Sequence, residues 1–178
     1  MKILRFFLPF VLSSLCHAAL TQSAGTPAAP SDAQKSFDTL KTLAGDWQGP
    51  VTVDNPDWAT DQQMSITMRV ASQGNALIHE LRGPSTPEVT MFYVDGDHLT
   101  LVHYCDYKNR PRMVARPSAD GNKIEFDLVE MAGIDAPGHM THCVFTVIDA
   151  GHHTEDWTFA MPGKKPFHAI MDLKRVPE

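Results

Sequence analysis

Histidine, cysteine, arginine and methionine gather in one short stretch of this sequence, LVHYCDYKNRPRM at residues 101–113. His103 and Cys105 are two residues apart, so on a β-strand both side chains lie on the same face. Imidazole and thiolate are ligands that zinc and related metals bind, and the same pair would also suit the wall of a ligand pocket. The spacing therefore indicates a metal site, a thiol site, a pocket wall or an ordinary strand end.

A metal site needs a third converging ligand, and the other histidines do not supply one. His139 and His142 are three residues apart, so they point to opposite faces of a regular strand unless that strand starts after His139. His152 and His153 are adjacent in a turn, where we expect both to be solvated. The sequence therefore predicts no metal and no other cofactor, and it leaves the pair in the stretch above as the candidate ligands if a metal does bind.

Motifs of common hydrolases and nucleotide-binding enzymes are absent from the sequence. It contains no Gly-x-Ser-x-Gly nucleophile elbow and no glycine-rich loop that would hold a phosphate. Glu80, Asp106 and Glu130 are each candidates to pair with His103 in acid–base catalysis. A general base must lie within reach of the proton that it removes, and a sequence does not show this. We therefore assign no catalytic residue and favour a non-enzymatic protein.

Short apolar runs separated by turn signals follow the first 46 residues, which is typical of an all-β barrel or sandwich. Ser31 and Asp32 can cap a helix that runs to about Ala44. The strands that we predict lie at residues 47–54, 61–71, 75–82, 88–94, 98–105, 111–117, 123–130, 140–148, 154–161 and 166–176. The sequence thus predicts an antiparallel up-and-down barrel of about ten strands, preceded by one helix.

Alternation within the predicted strands indicates which side chains face the interior. Leu99, Leu101, His103 and Cys105 share one face of their strand. In a meander, this strand ends at the barrel end opposite Trp47, and barrel mouths are common ligand sites. The residues that we predict to contact a ligand there are His103, Cys105, Asn109, Arg112, Met113, Met91 and Trp157.

Two cysteines, Cys105 and Cys143, lie in predicted strands that are three positions apart in the barrel. Adjacent strands are about 4.8 Å apart, so the separation along the wall is roughly 14 Å. A disulfide requires Cα atoms within about 7 Å of each other. A round barrel therefore keeps both cysteines as thiols, whereas a flattened barrel would allow a bond.

The first residues resemble a secretory signal peptide rather than part of a fold. Lys2 and Arg5 precede an apolar run that ends at Leu15, and a small residue, Ala18, closes a cleavage-site pattern. We predict a signal peptide at residues 1–18, a disordered linker at 19–31 and a barrel domain at 32–178, with lipid attachment at Cys16 as the alternative. The protein is then periplasmic or secreted, and no later segment is apolar enough for a stable membrane span. The formal charge of −6 argues against a nucleic-acid partner.

The segment LAGDWQG at residues 43–49 places a Gly-x-Trp element between the predicted helix and the first strand. This arrangement resembles the calycin superfamily, which includes lipocalins, fatty-acid-binding proteins and nitrobindin-like barrels. That superfamily typically pairs the tryptophan with an arginine on the last strand. The resemblance implies that Gly45, Trp47 and Arg175 form a structural signature in which the guanidinium stacks on the indole.

Residues 37–176 also look like a group of exported bacterial lipocalin-like proteins of unassigned function. The matching motifs are MFYVDGDHLTLVHYC, NRPRM and EDWTF. Nitrobindin-like barrels bind haem through a histidine near the C terminus, and His168 occupies a comparable stretch. Because Phe167 and Ala169 share the inward face with Arg175, His168 is expected to point outward. We therefore expect an exported barrel that binds a small, largely apolar molecule, with a metal- or haem-binding barrel of redox or other catalytic activity as the alternative.

Overall fold

The computed structural model describes residues 29–58, 62–83, 87–116, 120–133 and 138–177. These residues form one α-helix, ten β-strands and a short 3-10 turn at Ser72–Gly74. The helix is α1 (Asp32–Lys41), and the strands are β1 (Gly45–Val53), β2 (Gln62–Ala71), β3 (Ala76–Arg82), β4 (Glu88–Asp95), β5 (His98–Tyr104), β6 (Asn109–Ala115), β7 (Lys123–Gly133), β8 (His139–Asp149), β9 (His152–Ala160) and β10 (Phe167–Arg175). Consecutive strands pair antiparallel, and β1 pairs with β10, so the sheet closes into a barrel. The predicted fold class is confirmed.

Helix α1 has a capped N terminus and covers one end of the barrel. The Ser31 hydroxyl accepts a hydrogen bond from the backbone N–H of Gln34 at 3.1 Å, which satisfies one of the free N–H groups at the helix start. Three apolar side chains of the helix and the turn after it are buried in the core: Phe37, Leu40 and Leu43. Their burial fixes the helix on the barrel, because they would otherwise expose apolar surface to water.

The Gly-x-Trp element and the last strand form one packed unit at this end. The Arg175 guanidinium lies 4.2 Å from the centroid of the Trp47 ring, and Trp47 Nε1 donates to the Leu43 carbonyl at 2.8 Å. Arg175 also donates to three backbone carbonyls, those of Thr42, Ala44 and Ala150. Gly45 has a φ of +138°, and a Cβ at this position would overlap Nη1 of Arg175. A residue without a side chain is therefore required beside the arginine.

Apolar side chains fill the interior between α1 and the middle of the barrel. Phe92, Phe126 and Phe145 pack edge to face, with ring centroids 5.4 to 6.2 Å apart. Cys143 is fully buried among them, and Cys105 is buried further along the axis. Both cysteines are free thiols, so the disulfide alternative is not formed.

Four strands, β1, β6, β8 and β9, begin earlier than the sequence predicts. The differences in β6 and β9 affect the interior. β6 begins at Asn109, which pairs with Gly133 of a long β7. β9 begins at His152, which pairs with Lys174 of β10. Along the described part of the chain, no helix combines the length and the apolar character needed to cross a membrane.

Candidate functional site

A cavity of about 450 Å³ opens at the barrel end opposite α1. Its walls come from the ends of the odd-numbered strands and the beginnings of the even-numbered strands. Most of the lining is apolar, including Val51, Met64, Leu81, Met140, Phe167 and Met171. Seven polar or titratable side chains also line it: Gln62, His79, Glu88, His103, Cys105, Asp106 and Tyr107. An apolar cleft with a few placed polar groups is the usual form of a small-molecule site.

Aromatic rings surround the entrance of this cavity. Trp58 is 38% exposed and packs on Phe167 and Phe159, with centroids 5.1 and 5.9 Å away. Tyr107 packs on Phe159 from the β5–β6 turn, at 5.5 Å. Deeper in the cavity, Trp157 lies 5.3 Å from the His103 ring. The entrance is therefore an apolar rim, and His103 sits inside it against an indole.

A hairpin brings three potential metal ligands together inside the rim. In the β4–β5 ladder, Thr90 pairs with His103 and Val89 pairs with Tyr104, so Glu88 comes beside Cys105. One ligand atom each from Glu88, His103 and Cys105 lies within 4.8 Å of the other two, and within the described ranges this is the one such group of three. We refer to these three residues as the mouth cluster.

The imidazole of His103 is held at one nitrogen and unsatisfied at the other. Its Nδ1 lies 2.9 Å from the Thr90 hydroxyl. Its Nε2 lies 3.2 Å from Oε2 of Glu88, yet the angle does not give a hydrogen bond and the nitrogen has no hydrogen-bonding partner. Because the His103 side chain is only 4% exposed, leaving this nitrogen without a partner is costly.

The pKa values of the two acidic groups in the mouth cluster, Glu88 and Cys105, are shifted in opposite directions. Burial alone raises the pKa of the Glu88 carboxyl, but the nearby His103 and the backbone N–H of Asp106 outweigh burial, and the pKa lies below its usual range. Burial, followed by the negative charges of Glu88 and Asp106, raises the pKa of the Cys105 thiol to about 12. Cys105 is therefore a protonated thiol near neutral pH, which is the opposite of an activated cysteine nucleophile.

A second polar cluster, which we call the floor cluster, lies below the cavity and consists of His79, His153, Glu155 and Trp157. Nε2 of His79 lies 3.2 and 3.1 Å from the two Glu155 oxygens, and Nε2 of His153 lies 3.1 Å from one of them. Trp157 Nε1 donates to Glu155 at 2.9 Å. The Glu155 and His153 side chains have no exposed surface. One buried carboxylate thus accepts from three different side chains.

Glu155 is ionised in this setting. Burial favours the neutral acid, but His79 and His153 together outweigh it and hold the pKa of the Glu155 carboxyl well below its usual range. An ionised carboxylate only accepts hydrogen bonds, so both imidazoles present Nε2–H to it. The Nδ1 atoms of His79 and His153 are then left without a partner. Of these two histidines, His79 also lines the cavity.

Three of the predicted ligand-contacting residues line the cavity, namely His103, Cys105 and Trp157. Met91 and Arg112 do not, because each is adjacent to an inward residue and successive side chains of a strand alternate. Their buried neighbours are Phe92 and Met113. Arg112 instead forms an ion pair with Glu130 on the outer surface, at 2.9 Å.

The other two predicted contacts are buried in the fold rather than exposed to the cavity. Met113 has no exposed surface and belongs to the hydrophobic core. Asn109 is also buried, and its side-chain amide donates to the Gly138 carbonyl at 2.8 Å. This bond ties the start of β6 to the start of β8, so the structure gives Asn109 a structural role.

The side chains of His168 and His153 point to opposite sides of the barrel wall. His168 points outward as expected and pairs with Asp156 at 2.7 Å, so it does not face the cavity as a haem ligand would. His153 was expected to be solvated, and that prediction is wrong. Because β9 already begins at His152, His153 takes the inward position and packs edge to face on Trp47, with ring centroids 4.2 Å apart.

Sequence reasoning missed Glu88, His79, Glu155 and Thr90, although a signal existed for most of them. Glu155 shares strand parity with Trp157, and His79 shares parity with Leu77 and Leu81. The positions of Glu88 and Thr90 beside Cys105 and His103 can be found by counting outward from the turn at Gly96 in the β4–β5 hairpin. No local signal joins His79 to Glu155, which are 76 positions apart in the chain.

Comparisons with known proteins support the fold and leave the function open. No protein-family model and no curated protein matches this chain. The solved structure of Rv2717c from M. tuberculosis is 15% identical, with a TM-score of 0.62, over 80% of this chain and 98% of that chain. A protein of unknown function from the DUF3598 family of Nostoc punctiforme PCC 73102 is 11% identical, with a TM-score of 0.55, over 77% of this chain and 48% of that chain. At these identities the likeness concerns the fold alone.

Proposed function

We propose that this protein is an exported, non-enzymatic β-barrel that binds a small, largely apolar organic molecule. The observation that carries the proposal is the cavity of about 450 Å³ at one barrel end, with mostly apolar walls. Ligand pockets are commonly about 300–1,000 Å³ in volume, with apolar walls and a few polar groups. The cavity therefore has the size and the chemistry for such a ligand.

The polar atoms of the cavity indicate that the ligand carries a hydrogen-bonding group. Nδ1 of His79 has no partner, and leaving a buried polar atom unpaired costs about 1–3 kcal/mol. A ligand hydroxyl or amide near His79 would remove that cost. The aromatic rim of Trp58, Phe159 and Phe167 suits the apolar part of the molecule.

The non-enzymatic part of the proposal rests on the state of the titratable groups. Burial and two neighbouring carboxylates hold the pKa of Cys105 at about 12, so the thiolate that a nucleophile requires is scarce. Glu155 accepts hydrogen bonds from His79, His153 and Trp157 and does not itself line the cavity. Neither group is prepared to attack or deprotonate a substrate.

Export and membership of the calycin superfamily belong to the same proposal. The charged start, the apolar run and the small residue at position 18 support a cleaved signal peptide. The packed unit of Gly45, Trp47 and Arg175 supports the calycin resemblance. Mass spectrometry of the protein from the periplasm or medium of its host should give a chain that begins near Ala19. An intact N terminus retained in the cytosol would refute export.

Binding can be tested with the neutral apolar fluorophore N-phenyl-1-naphthylamine, whose emission rises in apolar surroundings. We expect saturable binding to the wild type. Ala169→Trp should weaken it by at least about tenfold, or 1.4 kcal/mol, because Ala169 lines the cavity and the larger ring fills it. Ile170→Trp is the matched control, since Ile170 is the next residue of β10 and is 43% exposed on the outer face.

A second experiment searches for the natural ligand. Protein purified from its own host without detergent would be denatured, and the organic extract analysed by mass spectrometry. One compound present in stoichiometric amount in wild type and depleted in Ala169→Trp would support the proposal. Absence of such a compound, together with no binding of the fluorophore by the wild type, would overturn it.

A further inference from the structure

We propose that Glu88, His103 and Cys105, the mouth cluster, bind a divalent transition-metal ion such as Zn²⁺. The sequence indicates His103 and Cys105 as candidate ligands and offers no third ligand. The β4–β5 hairpin supplies the third ligand, because Glu88 lies beside Cys105 across the ladder. Carboxylate, imidazole and thiolate together are a donor set that zinc uses in proteins.

The distances between the donor atoms fit one ion. Oε2 of Glu88 and Nε2 of His103 are 3.2 Å apart, and Sγ of Cys105 is 3.9 Å from Oε1 of Glu88. One ligand atom from each residue lies within 4.8 Å of the others. Bonds of about 2.0–2.3 Å to a common metal require the three side chains to close in only slightly.

His103 is oriented as a metal-ligating histidine. Thr90 contacts Nδ1 at 2.9 Å, which is how an outer partner fixes the ring and leaves Nε2 for the ion. That Nε2 is buried and has no hydrogen-bonding partner, although a carboxylate oxygen lies 3.2 Å away. A cation between the imidazole nitrogen and the Glu88 oxygen would satisfy both atoms.

The surrounding charge also favours a cation. Glu88 and Asp106 both lie close to the Cys105 sulfur, with oxygens at 3.9 and 3.8 Å. Among the described residues, His103 is the one basic side chain within ion-pair distance of Glu88. Two carboxylates thus lie beside the Cys105 sulfur with one imidazole to offset them, and an added positive charge there lowers the electrostatic energy.

The proposed site keeps one coordination position for a ligand. The three donors all line the cavity, so the fourth position of a tetrahedral ion faces the cavity interior, as in open zinc sites. A donor atom of the molecule bound in the cavity would occupy it. Binding replaces the S–H bond of Cys105 by a sulfur–metal bond and releases one proton to solvent.

Cobalt(II) provides the test, because a thiolate–cobalt bond gives an intense charge-transfer band in the near ultraviolet. The experiment uses the full chain with Cys16→Ser, so that Cys105 and Cys143 are the two remaining thiols of three. We expect one cobalt per chain with this band and its displacement by Zn²⁺. Calorimetry in buffers of different ionisation enthalpy should show about one proton released per Zn²⁺.

Four variants separate a built site from loose surface binding. Cys105→Ser should abolish the thiolate band, and Glu88→Gln should weaken Zn²⁺ by at least about 100-fold, the upper end of what the loss of an outer partner costs. Cys143→Ala is the matched thiol control, and His168→Gln is the matched control for a histidine paired with a carboxylate on the outer face. Both controls should bind as the wild type does.

Thermal melts without metal establish that each variant is folded. If Cys105→Ser does not fold, the metal affinity of Glu88→Gln tests the site instead. Unchanged metal affinity in Cys105→Ser and Glu88→Gln, or cobalt without a thiolate band, would overturn the proposal. Fluorophore binding in the presence of a chelator is measured in parallel. If metal binding fails while the fluorophore still binds, only the metal proposal is refuted. If the fluorophore does not bind while the metal does, only the apolar-ligand proposal is refuted.

Discussion

Replacing the buried carboxylate of Glu155 by an amide tests the floor cluster most directly. Glu155→Gln keeps the size of the side chain and removes the charge that His79, His153 and Trp157 surround. The new NH₂ group must face at least one N–H donor, because three donors point at the two oxygens of the native side chain. The variant therefore loses charge-assisted hydrogen bonds and gains an unfavourable contact between donors.

The magnitude follows from the burial of the cluster. Both Glu155 and its partner His153 have no exposed surface, and each hydrogen bond to a buried charged group contributes about 1.5–3 kcal/mol, so weakening two of them costs roughly 3–5 kcal/mol. For a domain of this size, 1 kcal/mol corresponds to roughly 2–4 °C in melting temperature. We expect Glu155→Gln to melt about 6–20 °C below the wild type at neutral pH.

The difference should depend on pH in a defined direction. The pKa of Glu155 is lowered from 4.5 by folding. A carboxyl whose pKa falls on folding contributes stability that is full above its unfolded pKa and is lost as pH drops toward the folded value. The gap between wild type and Glu155→Gln should therefore be largest at neutral pH and should narrow below about pH 4.5.

Circular dichroism melts of both proteins across this pH range measure the effect. Glu130→Gln is the matched control, because Glu130 is 58% exposed and pairs with Arg112 on the surface. Such pairs contribute about 0–1 kcal/mol, so this variant should melt close to the wild type. If Glu155→Gln also melted within about 2 °C of the wild type at neutral pH, the buried carboxylate would not be ionised and the reasoning would fail.

Three further predictions concern other parts of the barrel. Trp47→Ala should lower the free energy of unfolding by about 3–5 kcal/mol in denaturant titrations, because it leaves a large cavity. Arg112→Ala should change the free energy of unfolding by less than about 0.5 kcal/mol. Equal effects of the two variants would contradict the assignment of Arg112 to the surface. Gly45→Ala should cost about 2 kcal/mol or more, since alanine is strained at a φ of +138°, and a neutral result would refute the required glycine. Cys105, with a pKa of about 12, should resist alkylation by iodoacetamide at neutral pH until the chain is unfolded, and mass spectrometry showing rapid labelling of the folded protein would contradict its protonated state.

Local pattern was sufficient for the architecture. The alternation of side chains in β5 depends only on the two-residue period of a strand, so the inward positions of His103 and Cys105 were predictable from the sequence. The same rule correctly turned His168 outward. It also excludes Met91 and Arg112 from the interior, because residues next to an inward side chain face the other way. The cavity lining accordingly includes neither residue.

Residues across a hairpin were predictable in principle, because a tight turn fixes the register of the two strands that it joins. The turn at Gly96 sets Thr90 opposite His103 and places Glu88 beside Cys105. The mouth cluster is thus encoded within one hairpin of the sequence. Its burial is not, because His103 is covered by Trp157 of β9, which is distant in the chain.

The sequence by itself therefore determined the ten strands, the inward faces and the pairing of Trp47 with Arg175, since each rests on a local period or on the ends of a meander. Only the tertiary structure decided that His79 meets Glu155, with 76 positions between them. That contact spans the interior from β3 to β9, and its distance depends on the diameter of the closed barrel. Strand number, tilt and register together set this diameter, and no single segment of the chain encodes it.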